Sequence, residues 1–422
     1  MSTKETVAPA TGVTAAAADL QDERLLRDEG LAGAAKAFGR RVRAGDLGSL
    51  PVIVGLVVIW GIFSVLSPTF LSAASLADLL RQIAAVGPIS IGIVLVLLLG
   101  EIDLSVGSVS GLAAAILGVC FTTLGLPLIP VILLALGAGA AIGLLYGLLF
   151  TRFGVPSFVI TLAGLLAFLG LQLLVLGPLG SINIDFNSPI VQFVTVAFLP
   201  PWAVYLLSVV AAGGLLLSDL RRRARRRRNG LSVGALSLTV IKSVALLVGL
   251  LAAAAYLATD SGTIASFVFF VVLIVVMQFF TTRTRWGRSI YAIGGNVEAA
   301  RRAGIKVNRV YISVFVLCSV FAVIGGLLSA SLISSAAQSS GTGDVNLNAI
   351  AAAVIGGTSL FGGRGSIWSA LLGIFVIVSI TSGLNLLGFD PSIRFMITGA
   401  VLLLAVIVDS LSRRSRASHG AA

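Results

Sequence analysis

Charge is scarce in this sequence. Only 11% of its 422 residues are Asp, Glu, Lys or Arg. It has a single histidine, His419, and four lysines at positions 4, 36, 242 and 306. Its two cysteines, Cys120 and Cys318, both lie inside apolar runs. No cluster of His, Cys and carboxylates stands at metal-ligand or catalytic spacing, so the chain offers no material for a metal centre, a disulfide framework or an enzyme site, and no cofactor is expected. No lysine follows a glycine, so the glycine-rich "VIGGTSLFGGRGS" at 354–366 is not a phosphate loop.

What fills the chain is apolar. Hydrophobic residues make up 57% of it, and its mean hydropathy is +1.07. Apolar runs recur from Leu50 to Leu411, and a run of roughly 17–25 residues crosses a bilayer core. The expected spans are 50–66, 83–99, 104–125, 127–150, 155–176, 199–217, 235–258, 261–281, 310–333, 347–361, 366–386 and 392–411. The second and tenth are short enough to be broken or partly re-entrant. The fold class is therefore an all-α polytopic membrane protein with about 12 transmembrane helices.

Residues 1–48 differ in kind, being rich in Ala, Thr and charge. No apolar signal-peptide core precedes Leu50, so they are expected to form a largely disordered cytoplasmic tail with one surface helix, or a helix lying on lipid. The apolar membrane body runs 49–411, with a second short tail at 412–422.

Orientation follows from where Lys and Arg fall. With both termini cytoplasmic, "RRRARRRR" at 221–228 lies inside, as do Arg283, Arg285, Arg288, Arg301, Arg302, Lys306 and Arg309 of the 282–309 loop. The outer stretches 177–198 and 334–346 hold no Lys or Arg, while Asp185, Asp260, Asp344 and Asp390 lie outside. Arg81 and Arg394 are the exceptions. The net charge of +12 is thus mostly positive-inside asymmetry beside anionic membrane lipid. The Arg run has neither interleaved aromatics nor a recognisable binding fold, so no nucleic-acid partner is expected.

Within the 282–309 loop, "GNVEAARRAGI" reads as a complete helix about two turns long. Asn296 is a good N-cap, Glu298 sits in the first turn, and Arg301 and Arg302 sit in the last, both within reach of Glu298. Gly304 supplies the left-handed end. Ala299 and Ala300 leave a smooth face for close approach. So short a helix needs something to dock on. A lipid surface is one occupant. A protein partner fits better, because lipid-surface helices bury Leu, Phe and Trp.

These residues carry a resemblance. "GRSIYAIGGNVEAARRAGI" is similar to the cytoplasmic coupling segment of permease subunits of bacterial monosaccharide ABC importers, the ribose, xylose and galactose group. "GEIDLSVGSVSGLAAAI" at 100–116, "LNAIAAAVIGGTSLFGGRGSIWSALLG" at 347–373 and, more loosely, "GVPSFVITLAGLLAFLGL" at 154–171 resemble the same family. The likeness spans about 70–411 and is nearest the xylose-type branch. The chain reads Gly100-Glu101-Ile102-Asp103-Leu104-Ser105 where ribose-type permeases usually read Gly-Gly-Ile-Asp-Leu-Ser, and it carries an extra apolar hairpin at about 201–258.

The resemblance implies a subunit of the bacterial inner membrane that forms the pathway for a monosaccharide and is not itself an enzyme. It implies a homodimer, with a cytoplasmic ATPase docked on Asn296 to Gly304 and an extracytoplasmic sugar-binding protein delivering cargo. A nucleoside or polyol-like cargo is the alternative, followed by an ion-coupled secondary transporter.

Two further groups are candidate functional residues. Ionisable groups near the membrane are costly and raise a functional hypothesis by default. Asp103 also has a structural reading, as N-cap of a helix starting at Leu104. Glu101 either pairs with an Arg of a neighbouring span or faces an aqueous cavity. Ser105, Gly107, Ser108 and Gly111 form a small-residue face suited to helix packing or the pathway. Gly356, Gly357, Gly362 and Gly363 are expected to form a flexible break between spans.

Overall fold

A computed structural model describes residues 50–418 apart from 230–232, 234, 235 and 344. The tail expected at 1–48 and the residues from 419 onward lie outside the described residues. Among those described, nine helices are long and apolar enough to cross a membrane, and two shorter apolar helices join them.

In chain order the first are α1 (Leu50–Leu66), α2 (Ala73–Leu98), α3 (Val106–Ile116), α4 (Leu128–Phe153) and α5 (Ser157–Leu176). A π-helical segment, Leu117–Thr123, prolongs α3. Then come β1 (Ser181–Asn183), α6 (Pro189–Thr195), α7 (Pro201–Arg228), α8 (Leu236–Leu257), α9 (Ala265–Arg283), α10 (Arg285–Gly295) and α11 (Val297–Arg302). The last elements are α12 (Val307–Leu332), β2 (Ser335–Ala337), α13 (Val345–Ile355), α14 (Trp368–Leu386) and α15 (Pro391–Ser418). The chain is a polytopic all-α membrane protein, with a helix at each expected span.

Several boundaries depart from expectation. The second span is not short: α2 runs 26 residues from a Ser72 cap and carries Pro88 inside. Its apolar pattern is interrupted by Asp78 and Arg81, and those charges find partners. The Arg81 guanidinium pairs with Asp78, its Nε donates to the Thr195 carbonyl at 3.0 Å, and it stands 5.4 Å over the Phe198 ring. The tenth span is truly short, 11 residues in α13. α7 continues as helix through Arg228, beyond the expected end of its span at 217. α15 likewise runs through Ser418, past the expected start of a tail at 412.

Two compact units result. Pro200–Tyr256 belongs to one, and Leu47–Leu199 with Leu257–Ala422 forms the other. In the larger unit α2 and α12 are buried nearly all round, as expected of helices enclosed by other helices. α12 lies against α4 through Gly139, Gly143 and Gly147, where any Cβ would strike Val323 and Ser319, Phe315 and Val316, or Ile312. This i, i+4 glycine row brings two backbones together, the usual means of packing where lipid removes the hydrophobic drive. β1 and β2 pair antiparallel, Ile182 opposite Ala336. Phe198 and Ile264 also bridge antiparallel, so the chain leaves for α7 and returns from α8 at adjacent points.

Candidate coupling and pathway site

The loop expected at 282–309 holds two helices, not one. Thr284 caps α10 by accepting from the Gly287 N–H at 3.2 Å. Trp286 Nε1 donates to Ser313 Oγ at 2.8 Å, pinning α10 to the start of α12. Apolar Ile290 and Ile293 turn inward and are fully buried. The cap and the apolar spacing were both present in "TRTRWGRSIYAIGG" as an amphipathic pattern.

Asn296 then turns the chain into α11, its Oδ1 accepting from the Ala299 N–H at 2.9 Å. The far end closes as a Schellman motif: Ile305 N–H reaches the Ala300 carbonyl at 3.1 Å, Gly304 N–H reaches that of Arg301 at 3.0 Å, and Gly304 has φ +80°. Glu298 pairs with Arg301 at 2.7 Å, with both side chains more than half exposed. Arg302 does not share that pair. The alanines do not form one outward face. Ala299 is exposed, but Ala300 is 4% exposed and packed into the core. The cap and Schellman turn fix the rotation of so short a helix, and that rotation sends position 300 inward.

The break between α2 and α3 is equally specific. α2 ends with Gly100 at φ +84°, and Glu101 N–H reaches back to the Val96 carbonyl at 3.2 Å. Among the described residues Glu101 pairs with no Arg. It accepts from Ser157 Oγ at 2.6 Å, at the first residue of α5. Partial burial pushes the Glu101 carboxyl above its ordinary value, and the Ser157 hydrogen bond only partly offsets this.

Asp103 is not the N-cap of a helix starting at Leu104. The helix starts at Val106, and Asp103 forms a turn ahead of it, its Oδ1 accepting from Ser105 N–H at 2.8 Å and Ser105 Oγ at 2.7 Å. The carboxylate is 1% exposed, and its other oxygen takes the Cys318 thiol at 3.6 Å.

The small residues of α3 face the start of α13, the end of α5 and the segment after β2. Gly107 N–H donates to Asn346 Oδ1, Ser108 Oγ donates to the Ser105 carbonyl at 2.9 Å, and Gly111 abuts Ser340 and Gln172. Gln172 was missed in the sequence. Its Nε2 donates to the carbonyls of Ala337 at 3.0 Å, Gln338 at 3.3 Å and Ser340 at 3.0 Å. A lone glutamine within an apolar span was the available signal.

The break at 356–365 is a packed structure. Gly356 lies flush against Ser369, and Gly357, Gly362 and Gly363 all have positive φ. Gly363 N–H donates to the Leu98 carbonyl at 2.9 Å. A Cβ at Gly362 would stand 2.8 Å from the Gly294 carbonyl oxygen and 2.9 Å from Gly100 N. The structure thus brings the glycine break, the end of α2 and the end of α10 into one place.

Broken spans, a short capped helix and matched polar turns are thus set among helices long and apolar enough to cross a membrane. A family model described as "Branched-chain amino acid transport system / permease component" matches residues 75–406, and the chain belongs to that family. It is 35% identical to the xylose transport system permease protein of Escherichia coli over 82% of this chain and 87% of that one. It is 31% identical to the ribose import permease protein of Bacillus subtilis over 86% and 94%, and 28% identical to the fructose import permease protein of Rhizobium meliloti over 87% and 86%. No solved structure matches.

Proposed function

We propose that this chain is the membrane-spanning permease subunit of an ATP-driven importer in the bacterial inner membrane, carrying a monosaccharide of the xylose type. The relatives named for xylose, ribose and fructose support the cargo class. Hydrolysis of ATP belongs to a separate cytoplasmic ATPase. An extracytoplasmic sugar-binding protein delivers the cargo, and two copies of the permease enclose the pathway in the lipid bilayer, with both termini cytoplasmic.

The observation that carries the reading is α11. It is capped at both ends, presents Glu298, Ala299, Arg301 and Arg302 outward, and is anchored through Ala300. A six-residue helix held this firmly and left charged on its free side is built to be pushed on. The remaining part of the reading is that Glu101, Asp103, Ser105, Gly107 and Ser108 border the pathway. The test is Glu298→Lys, which breaks the Arg301 pair and opposes the helix dipole, costing only a few tenths of a kcal/mol of helix stability. The permease should reach the membrane in normal amounts while ATPase co-purification and sugar uptake fall together. Unchanged co-purification would sink the assignment of α11. Stimulation of the ATPase by binding protein across a sugar panel identifies the cargo.

A further inference from the structure

We propose that the meeting of α10 with the glycine break is a mechanical joint, and that Tyr291 and Gln278 are the positioning residues that make motion of α11 move the break at 356–367. The inference rests on α11 being the ATPase-docking helix.

Three observations point to it. First, the backbones touch: a Cβ at Gly294 would strike the Leu98 carbonyl oxygen, and one at Gly363 would stand 2.9 Å from Gly295 N. With no side chains between them, α10 cannot shift without displacing either the end of α2 or the break. Second, polar ties bind α9 and α10 to the break at Gln278 and Tyr291. Tyr291 Oη, on α10, donates to the Gly365 carbonyl at 3.1 Å. Gln278 Oε1, on α9, accepts from Ser366 Oγ at 3.0 Å and Ile367 N–H at 3.1 Å, organising the first turn of α14. Third, the break is itself tied to α2 by the hydrogen bond from Gly363 to Leu98. A push on α11 therefore passes through Asn296 into α10, and from there by contact and hydrogen bond into two discontinuous spans at once. Packed elements with short ties move as units rather than stretching.

The joint predicts a separation that a merely structural role would not give. Arg364 is exposed on the break, so Arg364→Cys, in a chain with Cys120→Ser, reports its position through the rate of maleimide labelling. The full permease is purified with its ATPase and labelled with and without ATP plus vanadate. In the otherwise unaltered chain the nucleotide should change the labelling rate. In Tyr291→Phe, which loses the hydrogen bond to the Gly365 carbonyl, that change should shrink by roughly two- to tenfold, with the ATPase still co-purifying. Gln278→Ala should act alike and serves if Tyr291→Phe does not accumulate. Nucleotide-dependent labelling identical in both variants and the parent overturns the joint alone. Failure of the ATPase to bind the parent chain, or binding unaffected by Glu298→Lys, overturns the docking reading and the joint with it.

Discussion

Ser157 Oγ lies 2.6 Å from Glu101 Oε2, joining the break after α2 to the first residue of α5. This serine is the strongest partner of a carboxylate that the sequence left open between an arginine and a water-filled cavity. Burial holds the Glu101 carboxyl above its ordinary value, so the folded state prefers it protonated. Its contribution to stability is therefore best at low pH and is lost as pH rises through the raised value. Glu101→Gln removes that dependence. Thermal unfolding in detergent should show the variant gaining on wild type as pH rises across this range. A parallel pair of profiles would show that the carboxylate carries no such cost. If Glu101 borders the pathway, uptake by the variant should fall at normal protein levels.

Asp103 supports the adjoining turn. Asp103→Ala leaves the Ser105 N–H and hydroxyl and the Cys318 thiol without their acceptor in a buried site, at a cost of about 1–3 kcal/mol. Asp103→Asn keeps an oxygen for Ser105 and should lose less. Membrane levels and detergent melting should rank wild type, Asn, then Ala. Equal behaviour of Asn and Ala would mean that the turn is held by something else.

Ala299 and Ala300 are neighbours with opposite fates. Ala299→Trp adds a bulky ring on the exposed side of α11 and should leave expression intact while weakening ATPase association. Ala300→Trp forces the ring into the core, where overpacking costs about 1–3 kcal/mol or more, so less protein should reach the membrane. Comparing ATPase bound per permease for the two variants checks this. Equal loss of protein for both would contradict the burial difference.

The α7–α8 segment is expected to be removable. Leu199 N–H donates to the Thr263 carbonyl at 2.9 Å, and Ala265 N–H to that of Ala197 at 2.8 Å, so the chain on either side is already paired. Replacing 201–261 with a short Gly-Ser linker closes a small loop at little entropic cost. The shortened permease should insert and transport. Loss of insertion would show that the segment supports the remaining spans.

Much of this molecule was written along the chain. Apolar runs long enough to cross a bilayer mark the spans, since a segment in lipid must satisfy its own backbone and so becomes a helix. Asn296, Glu298 and Gly304 mark α11, because caps and dipoles act within a few residues. Departures appear where the partner lies far away in sequence. The sequence pattern placed both Ala299 and Ala300 on one free face, yet only the packing of α11 decided that Ala300 turns inward. Glu101 could be assigned no partner until α5 brought Ser157 beside it, 56 residues on. The glycines at 100, 294, 362 and 363 read separately as loop residues; only the tertiary structure shows three backbones converging on them. Local geometry is set by neighbours in the chain, and the sequence holds that information directly. Which surfaces meet is set by the mutual packing of many helices, and in an apolar chain every span offers several nearly equivalent faces.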